Sequence, residues 1–228
     1  MHPFEDPYPP LPLIPKDEVA QVRMYEIQAS PPCVMVRALL AYGGLKYESV
    51  LVNMMSTRHL DIPTLVVNGM QINDSYIIYK ELSAIIFERS LSALECQQIH
   101  DITYGMLLAF QSEFFSSLAV RKKFVRLSFA GNGCFTCFFH PLIRMYVGRA
   151  PNRIHAAHPD LQSLDFYGKK FSAEINKGTF HGGAQPGPVD IMVWALTELG
   201  KHMGLEPSIE RWIAGCGLRA WSNAMEGT

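Results

Sequence analysis

The sequence predicts an α/β domain followed by an all-helical one, and three observations carry that reading. Residues 22–87 alternate strand-like and helix-like segments in a βαβ-ββα order. An Asn68-Gly69 dipeptide between two short apolar runs marks a hairpin with a type I′ turn. Beyond residue 91 no strand pattern of comparable quality occurs. The 228 residues suit one large domain or two small ones sharing an interface. The expected division is a proline-rich arm at 1–20, the α/β domain at 21–90 and the helical domain at 91–228.

Within the α/β domain, residues 22–27 read as a strand by partial alternation, and 34–42 as an apolar helix stopped by Gly43-Gly44. A second strand follows at 47–52. Residues 64–67 and 70–72 pair across Asn68-Gly69, and 74–87 form a helix with residues 77, 78, 82, 85 and 86 on one apolar face. Only a short piece separates Asn53 from Pro63.

In the helical part, 94–118 reads as one long helix with Ile99, Ile102, Met106, Leu107, Phe110 and Phe114 in register. Residues 131–147 are apolar and 161–175 amphipathic. Residues 188–199 form a strongly apolar helix behind Pro186-Gly187-Pro188, with Asp190 in its first turn as an N-terminal signal. A final helix is expected near 209–214. Pro151 and Pro159 make the region of His155 and His158 loop-like and solvent-facing.

Apolar residues make up 48% of the chain and charged ones only 18%, below the roughly 25% usual for soluble domains. That balance implies a deep core or a surface covered by a partner. A net charge of −1 leaves no footprint for nucleic acid. Five cysteines, an odd and scattered set without a recognisable secretory signal, argue for an intracellular, reducing compartment and against a disulfide framework. Residues 1–16 read as an extended polyproline-like arm suited to lying across a partner. The run 127–143 is the one membrane candidate, but it is short and carries Asn132, His140 and Pro141; a buried or interfacial helix is the better reading.

The candidate chemistry lies where strands meet helices. Ser30-Pro31-Pro32-Cys33 opens the first helix. Cys33 is placed where a helix dipole favours thiolate, against the simpler role of a small buried residue under the turn. Ser30 can donate to a bound thiolate or act as a helix cap, and the two prolines offer a substrate sulfur no N–H. Pro63 is expected to be cis, with the backbone of Ile62 turned toward a peptide ligand. Asp74 and Ser75 open a helix where N–H groups hold a carboxylate and Asp74 pairs an amine; plain capping is the alternative. Cys134, Cys137 and His140 lack the second C-x-x-C of a zinc site and read as core, so no metal is expected.

Taken in order, these residues resemble a thioredoxin-like domain joined to a helical one, as in the glutathione transferase superfamily. The narrower likeness is to the membrane-associated prostaglandin E synthase type 2 family. It rests on Pro32-Cys33-Val34-Met35-Val36-Arg37-Ala38-Leu39-Leu40, on Gln71-Ile72-Asn73-Asp74-Ser75-Tyr76-Ile77-Ile78, and on Gly168-Lys169-Lys170 with Phe180-His181-Gly182-Gly183 and Asp190. The resemblance implies glutathione as the cofactor, contacted by Ile62, Pro63, Asp74 and Ser75, and places Cys33 at the family's second cysteine. It also implies departures. Ser30 stands at the first cysteine, Ile27 at the active-site tyrosine, the second helix is cut short, and the membrane-anchoring N-terminal segment has no counterpart.

These departures favour a catalytically degenerate member acting as an accessory subunit of a larger assembly. Its partners would be other protein subunits, met through the arm, with membrane association indirect. The family's association points to a mitochondrial inner-membrane complex. The competing expectation is an active glutathione-dependent enzyme, either a transferase using Ser30 or an isomerase using Cys33. A third is a binding module that keeps Asp74 and Ser75 without chemistry.

Overall fold

A computed structural model describes residues 14–52, 62–128, 133–175 and 178–228, with the side chains of 133–140 outside that description. The arm through residue 13, the shortened segment at 53–61 and the Cys134, Cys137 and His140 side chains therefore lie outside the described residues.

Four strands form a mixed sheet: β1 (Val22–Glu26), β2 (Glu48–Leu51), β3 (Thr64–Val67) and β4 (Met70–Asn73), in the order β2-β1-β3-β4. β1 and β2 run parallel; β3 is antiparallel to both β1 and β4. α1 (Pro31–Tyr42) connects β1 to the β2 limb, as a parallel crossover requires. Both turn residues of the β3–β4 hairpin have positive φ, 48° at Asn68 and 86° at Gly69, the signature of the expected type I′ geometry. The Asn68 side chain also ties down the approach to β1. Its Oδ1 accepts the Ala20 and Gln21 N–H groups, and its Nδ2 donates to the Glu18 carbonyl.

α2 (Ser75–Ile86) packs on α1 and the sheet, burying Ile77, Ile78, Leu82, Ile85 and Ile86, the face read from the sequence. Among the described residues all later elements are helical: α3 (Ala93–Asp101), α4 (Leu107–Ser116), α5 (Leu118–Ser128), α6 (Gly133–Gly148), α7 (Ala150–Ala157), α8 (Leu164–Glu174), α9 (Pro188–Gly200), α10 (Glu206–Gly215) and α11 (Arg219–Glu226). The expected helix at 94–118 is thus divided. Residues Ile102–Met106 form a π-helical turn between α3 and α4, and Ser117 is extended with ψ of 124°. At this turn α8 approaches so closely that a Cβ on Gly105 would lie 2.5 Å from the Tyr167 ring.

Three helices differ from the sequence reading. α5 and α11 went unrecognised as separate elements. α7 replaces an expected loop, because Pro151 falls in its first turn, where no N–H is needed. There His155 is exposed, yet its Nε2 lies 3.0 Å from the Ser112 hydroxyl. No helix among the described residues is long and apolar enough to cross a membrane, and the candidate run falls partly at the end of α5 and partly in α6.

α9 runs through the centre of the molecule, buried along nearly its whole length and packed on α1. Its first turn is organised by Asp190, fully buried, whose carboxylate accepts four hydrogen bonds. The donors are the N–H groups of His181, Gly182 and Gly187 and the Trp221 indole, at 2.8–3.1 Å. Four donors offset the desolvation of a buried charge. From α2, the buried Tyr79 hydroxyl donates to the Pro188 carbonyl at 3.2 Å, so the sheet side and the helical side share one hydrogen-bonded seam.

Candidate functional site at one end of the sheet

The strand register gathers the sequence-predicted residues at one edge. Tyr25 of β1 pairs Thr64 of β3, and Thr64 pairs Asn73 of β4. The chain leaving β1 toward Ser30, the chain entering β3 through Ile62 and Pro63, and the chain leaving β4 into Asp74 therefore meet at the same end. The Ile62–Pro63 peptide is cis, with Pro63 buried and Ile62 half-buried.

Ser30 is the residue before α1, extended at φ −70° and ψ 124°, and half-exposed. Its carbonyl accepts the Val34 N–H at 3.0 Å, but its hydroxyl makes no capping bond to the helix. Pro31 and Pro32 occupy the first helical positions, where two N–H donors would otherwise face the site. Cys33 is completely buried. Burial pushes its thiol up to about 11, only partly countered by hydrogen bonds from the Ile27 backbone and the Ser30 hydroxyl. Loss of water here outweighs the helix dipole and disfavours the thiolate.

Beneath the same strand end, Glu26 is buried and accepts from Arg37 and, at 2.6 Å, from the Ser49 hydroxyl. Arg37 also donates to the Gln28 carbonyl at 2.6 Å. This pairing braces α1 against β1 and β2 and stiffens the turn that carries Ser30.

Asp74 sits at φ +71°, a left-handed backbone that most side chains avoid. Its carboxylate compensates locally by accepting the Tyr76 and Ile77 N–H groups at 2.8 and 3.3 Å, which satisfies two open donors of α2. A third partner comes from the helical domain. The Tyr104 hydroxyl, on the π turn, lies 3.1 and 3.0 Å from the two Asp74 oxygens. Burial and the neighbouring Asp74 charge raise the Tyr104 phenol, so it stays protonated and donates. Ser75 follows as the first residue of α2, half-exposed.

The Tyr104 ring is part of an aromatic cluster with Tyr76 and His100, at centroid separations of 4.7 to 6.0 Å. The His100 Nδ1 is buried without a hydrogen-bond partner among the described residues, with Asp101 Oδ1 3.7 Å away. Sequence reasoning missed Tyr104 and His100. The one available signal was two polar aromatics four residues apart within a run otherwise read by its apolar face. Among the described residues no cluster of His, Cys, Asp or Glu could hold a metal.

No family model matches the chain, and no curated protein matches it. Solved structures do. Glutathione S-transferase III in its apo form superposes with a TM-score of 0.56 at 16% identity, over 90% of this chain and 91% of that one. The structure of NaGST-2 superposes at 0.53, again with 16% identity, over 90% of each chain. A mixed four-stranded sheet carrying a cis-proline, followed by a helical domain and matched along nine-tenths of its length, is the fold of the glutathione transferases, and this chain has it.

Proposed function

We propose that this chain is a glutathione-transferase-fold protein that keeps the amine-binding half of a glutathione site but has lost thiol activation, and that it serves as an accessory subunit of a larger protein assembly. The observation that carries the proposal is the state of Cys33: fully buried and protonated, beneath a turn whose first two helical residues are prolines. A thiol-dependent mechanism needs a thiolate or a donor facing the substrate sulfur, and this turn is poor in both.

The γ-glutamyl end of glutathione fits better. Asp74 Oδ1 is satisfied by two N–H groups and shares Tyr104, whereas among the described residues Oδ2 is hydrogen-bonded by Tyr104 alone and has capacity for an ammonium. Ser75 and the start of α2 would take the carboxylate, and the Ile62 backbone beside cis-Pro63 would align the peptide. When bound, glutathione would supply a thiol; Cys33 neither reaches solvent nor ionises to assist it. A prostaglandin E synthase type 2-like ancestry, other protein subunits as partners, and a mitochondrial inner-membrane complex as host belong to this reading.

One observation favours a second reading. Ser30 is half-exposed and its hydroxyl makes no capping bond to α1, so by exchanging its hydrogen bond to Cys33 it could donate to a bound sulfur as in a serine-type transferase.

Calorimetry with glutathione, paired with a conjugation assay, separates the two. The proposal expects binding that Asp74→Ala abolishes, with no conjugation above background. Conjugation that collapses in Ser30→Ala would replace it with the transferase reading. Failure of the intact protein to bind at millimolar ligand would remove the glutathione part altogether.

A further inference from the structure

The charges of this chain are unevenly distributed. Between residues 114 and 159 the sequence carries seven Lys or Arg and no Asp or Glu, although the whole chain has a net charge of −1. Soluble surfaces ordinarily intersperse the two signs. The described part of this stretch is α5, the C-terminal half of α6, and α7. None of its cations forms an ion pair with a carboxylate among the described residues; the ion pairs lie elsewhere.

The same helices expose apolar side chains. On α6, Leu142, Met145 and Tyr146 are 56%, 49% and 54% exposed, spaced i, i+3, i+4 along one stripe. The Arg153 guanidinium stacks 4.0 Å above the Tyr146 ring and donates to the Tyr146 carbonyl at 2.9 Å, which holds a cation at the edge of that stripe. On α5, which packs against α6, Leu118 is followed at i+4 and i+8 by the exposed Lys122 and Arg126. α5 and α6 thus both show solvent apolar side chains, α5 beside its own exposed cations and α6 beside Arg153 of α7, and none of the three helices carries an acid of its own.

We propose that α5, the C-terminal half of α6, and α7 form a docking surface for an anionic lipid bilayer. Three features select this occupant. Uncompensated cations match a negative headgroup layer. Leu, Met and Tyr side chains insert to the depth of the acyl boundary, whereas a nucleic-acid surface offers them nothing comparable. Arg and Lys beside them extend their stems over apolar surface while keeping the charge in the headgroups. No described helix is long and apolar enough to cross the bilayer, so the chain would lie on it.

The test is co-sedimentation of the full chain with vesicles of phosphatidylcholine alone and of phosphatidylcholine mixed with phosphatidylglycerol, at low and high salt. Binding is expected to the mixed vesicles only, weakened by salt. Charge reversal in Lys122→Glu with Arg126→Glu should reduce it at least about tenfold. The uncharged change Met145→Ser with Tyr146→Ser should reduce it without altering its salt dependence. All four positions are exposed or half-exposed, and unchanged thermal unfolding would show that the variants fold. Equal binding by wild type and charge-reversed chain, or no binding of the folded wild type to mixed vesicles, would overturn the proposal. Retention on immobilised polyglutamate without vesicle binding would overturn it in favour of an acidic protein partner.

Discussion

The Tyr104 hydroxyl lies within 3.1 Å of both carboxylate oxygens of Asp74, thirty residues earlier in the chain. The tyrosine belongs to the helical domain and the aspartate caps the start of α2, so this contact crosses the seam between the two parts of the fold. It links the residue best suited to hold an amine to a π turn that a glycine allows to pack against α8.

Tyr104→Phe removes that donor and leaves the ring in its cluster with Tyr76 and His100. A hydrogen bond to a charged acceptor contributes about 1.5–3 kcal/mol, so unfolding in urea should show a loss in the lower part of that range at this half-buried position. With one donor fewer on Asp74, an ammonium ligand gains a less satisfied partner, and glutathione should bind several-fold more tightly by calorimetry. Weaker binding would mean that the Tyr104 hydroxyl contacts the ligand itself.

Cys33 should resist alkylation in the folded protein at neutral pH and react only after unfolding, as read by peptide mapping after iodoacetamide treatment. Its folded pKa of about 11 stands above the 9.0 of an unperturbed thiol. The sign follows directly. Stability from this group is complete below pH 9.0 and is lost as pH rises toward about 11, because only the unfolded chain ionises there. The slope should approach about 1.4 kcal/mol per pH unit in that window. Cys33→Ala should flatten it, while the raised Tyr79 and Tyr104 phenols still contribute in the same direction. Rapid labelling of native Cys33 at neutral pH would contradict the buried thiol.

Asp190→Ala strands four donors at the start of α9 in a site with no access to water. Removing one partner of such a buried charged network costs about 3–5 kcal/mol, enough to leave much of the chain unfolded at ordinary temperature. Circular dichroism melting checks it. A melting temperature within a few degrees of wild type would show that the seam has other supports.

Glu95 reciprocates with Ser92 in a capping box at the start of α3 and pairs with Arg89, whose side chain is 49% exposed. Hydrogen bonding to Arg89, opposed by partial burial and helped by Ser92, lowers its pKa to about 2 from 4.5. Stability from this group is present above pH 4.5 and lost as pH falls toward about 2. Solvent screening limits it to about 1 kcal/mol, so Arg89→Ala should soften acid unfolding slightly and high salt should mimic the change. Ser92→Ala should cost a further ~1 kcal/mol through the lost cap.

The residues themselves determined the local structure. Alternation placed β1, Asn68-Gly69 placed the β3–β4 turn, and the spacing of Ile77, Ile78 and Leu82 placed the buried face of α2. Pro186-Gly187-Pro188 with Asp190 placed the start of α9. In each case the signal is a steric or hydrogen-bonding preference acting within a few residues, which a linear sequence displays. Tertiary packing decided the rest. The π turn at Ile102–Met106, where α8 closes on Gly105, divides what reads as one helix. A proline that ends helices in general begins one at Pro151. Burial keeps Cys33 protonated although its place at a helix start favours ionisation. The contact of Tyr104 with Asp74 joins residues far apart in the chain, and only the docking of the helical domain on the sheet brings them within hydrogen-bond reach, because desolvation and long-range contacts depend on what surrounds a residue in space.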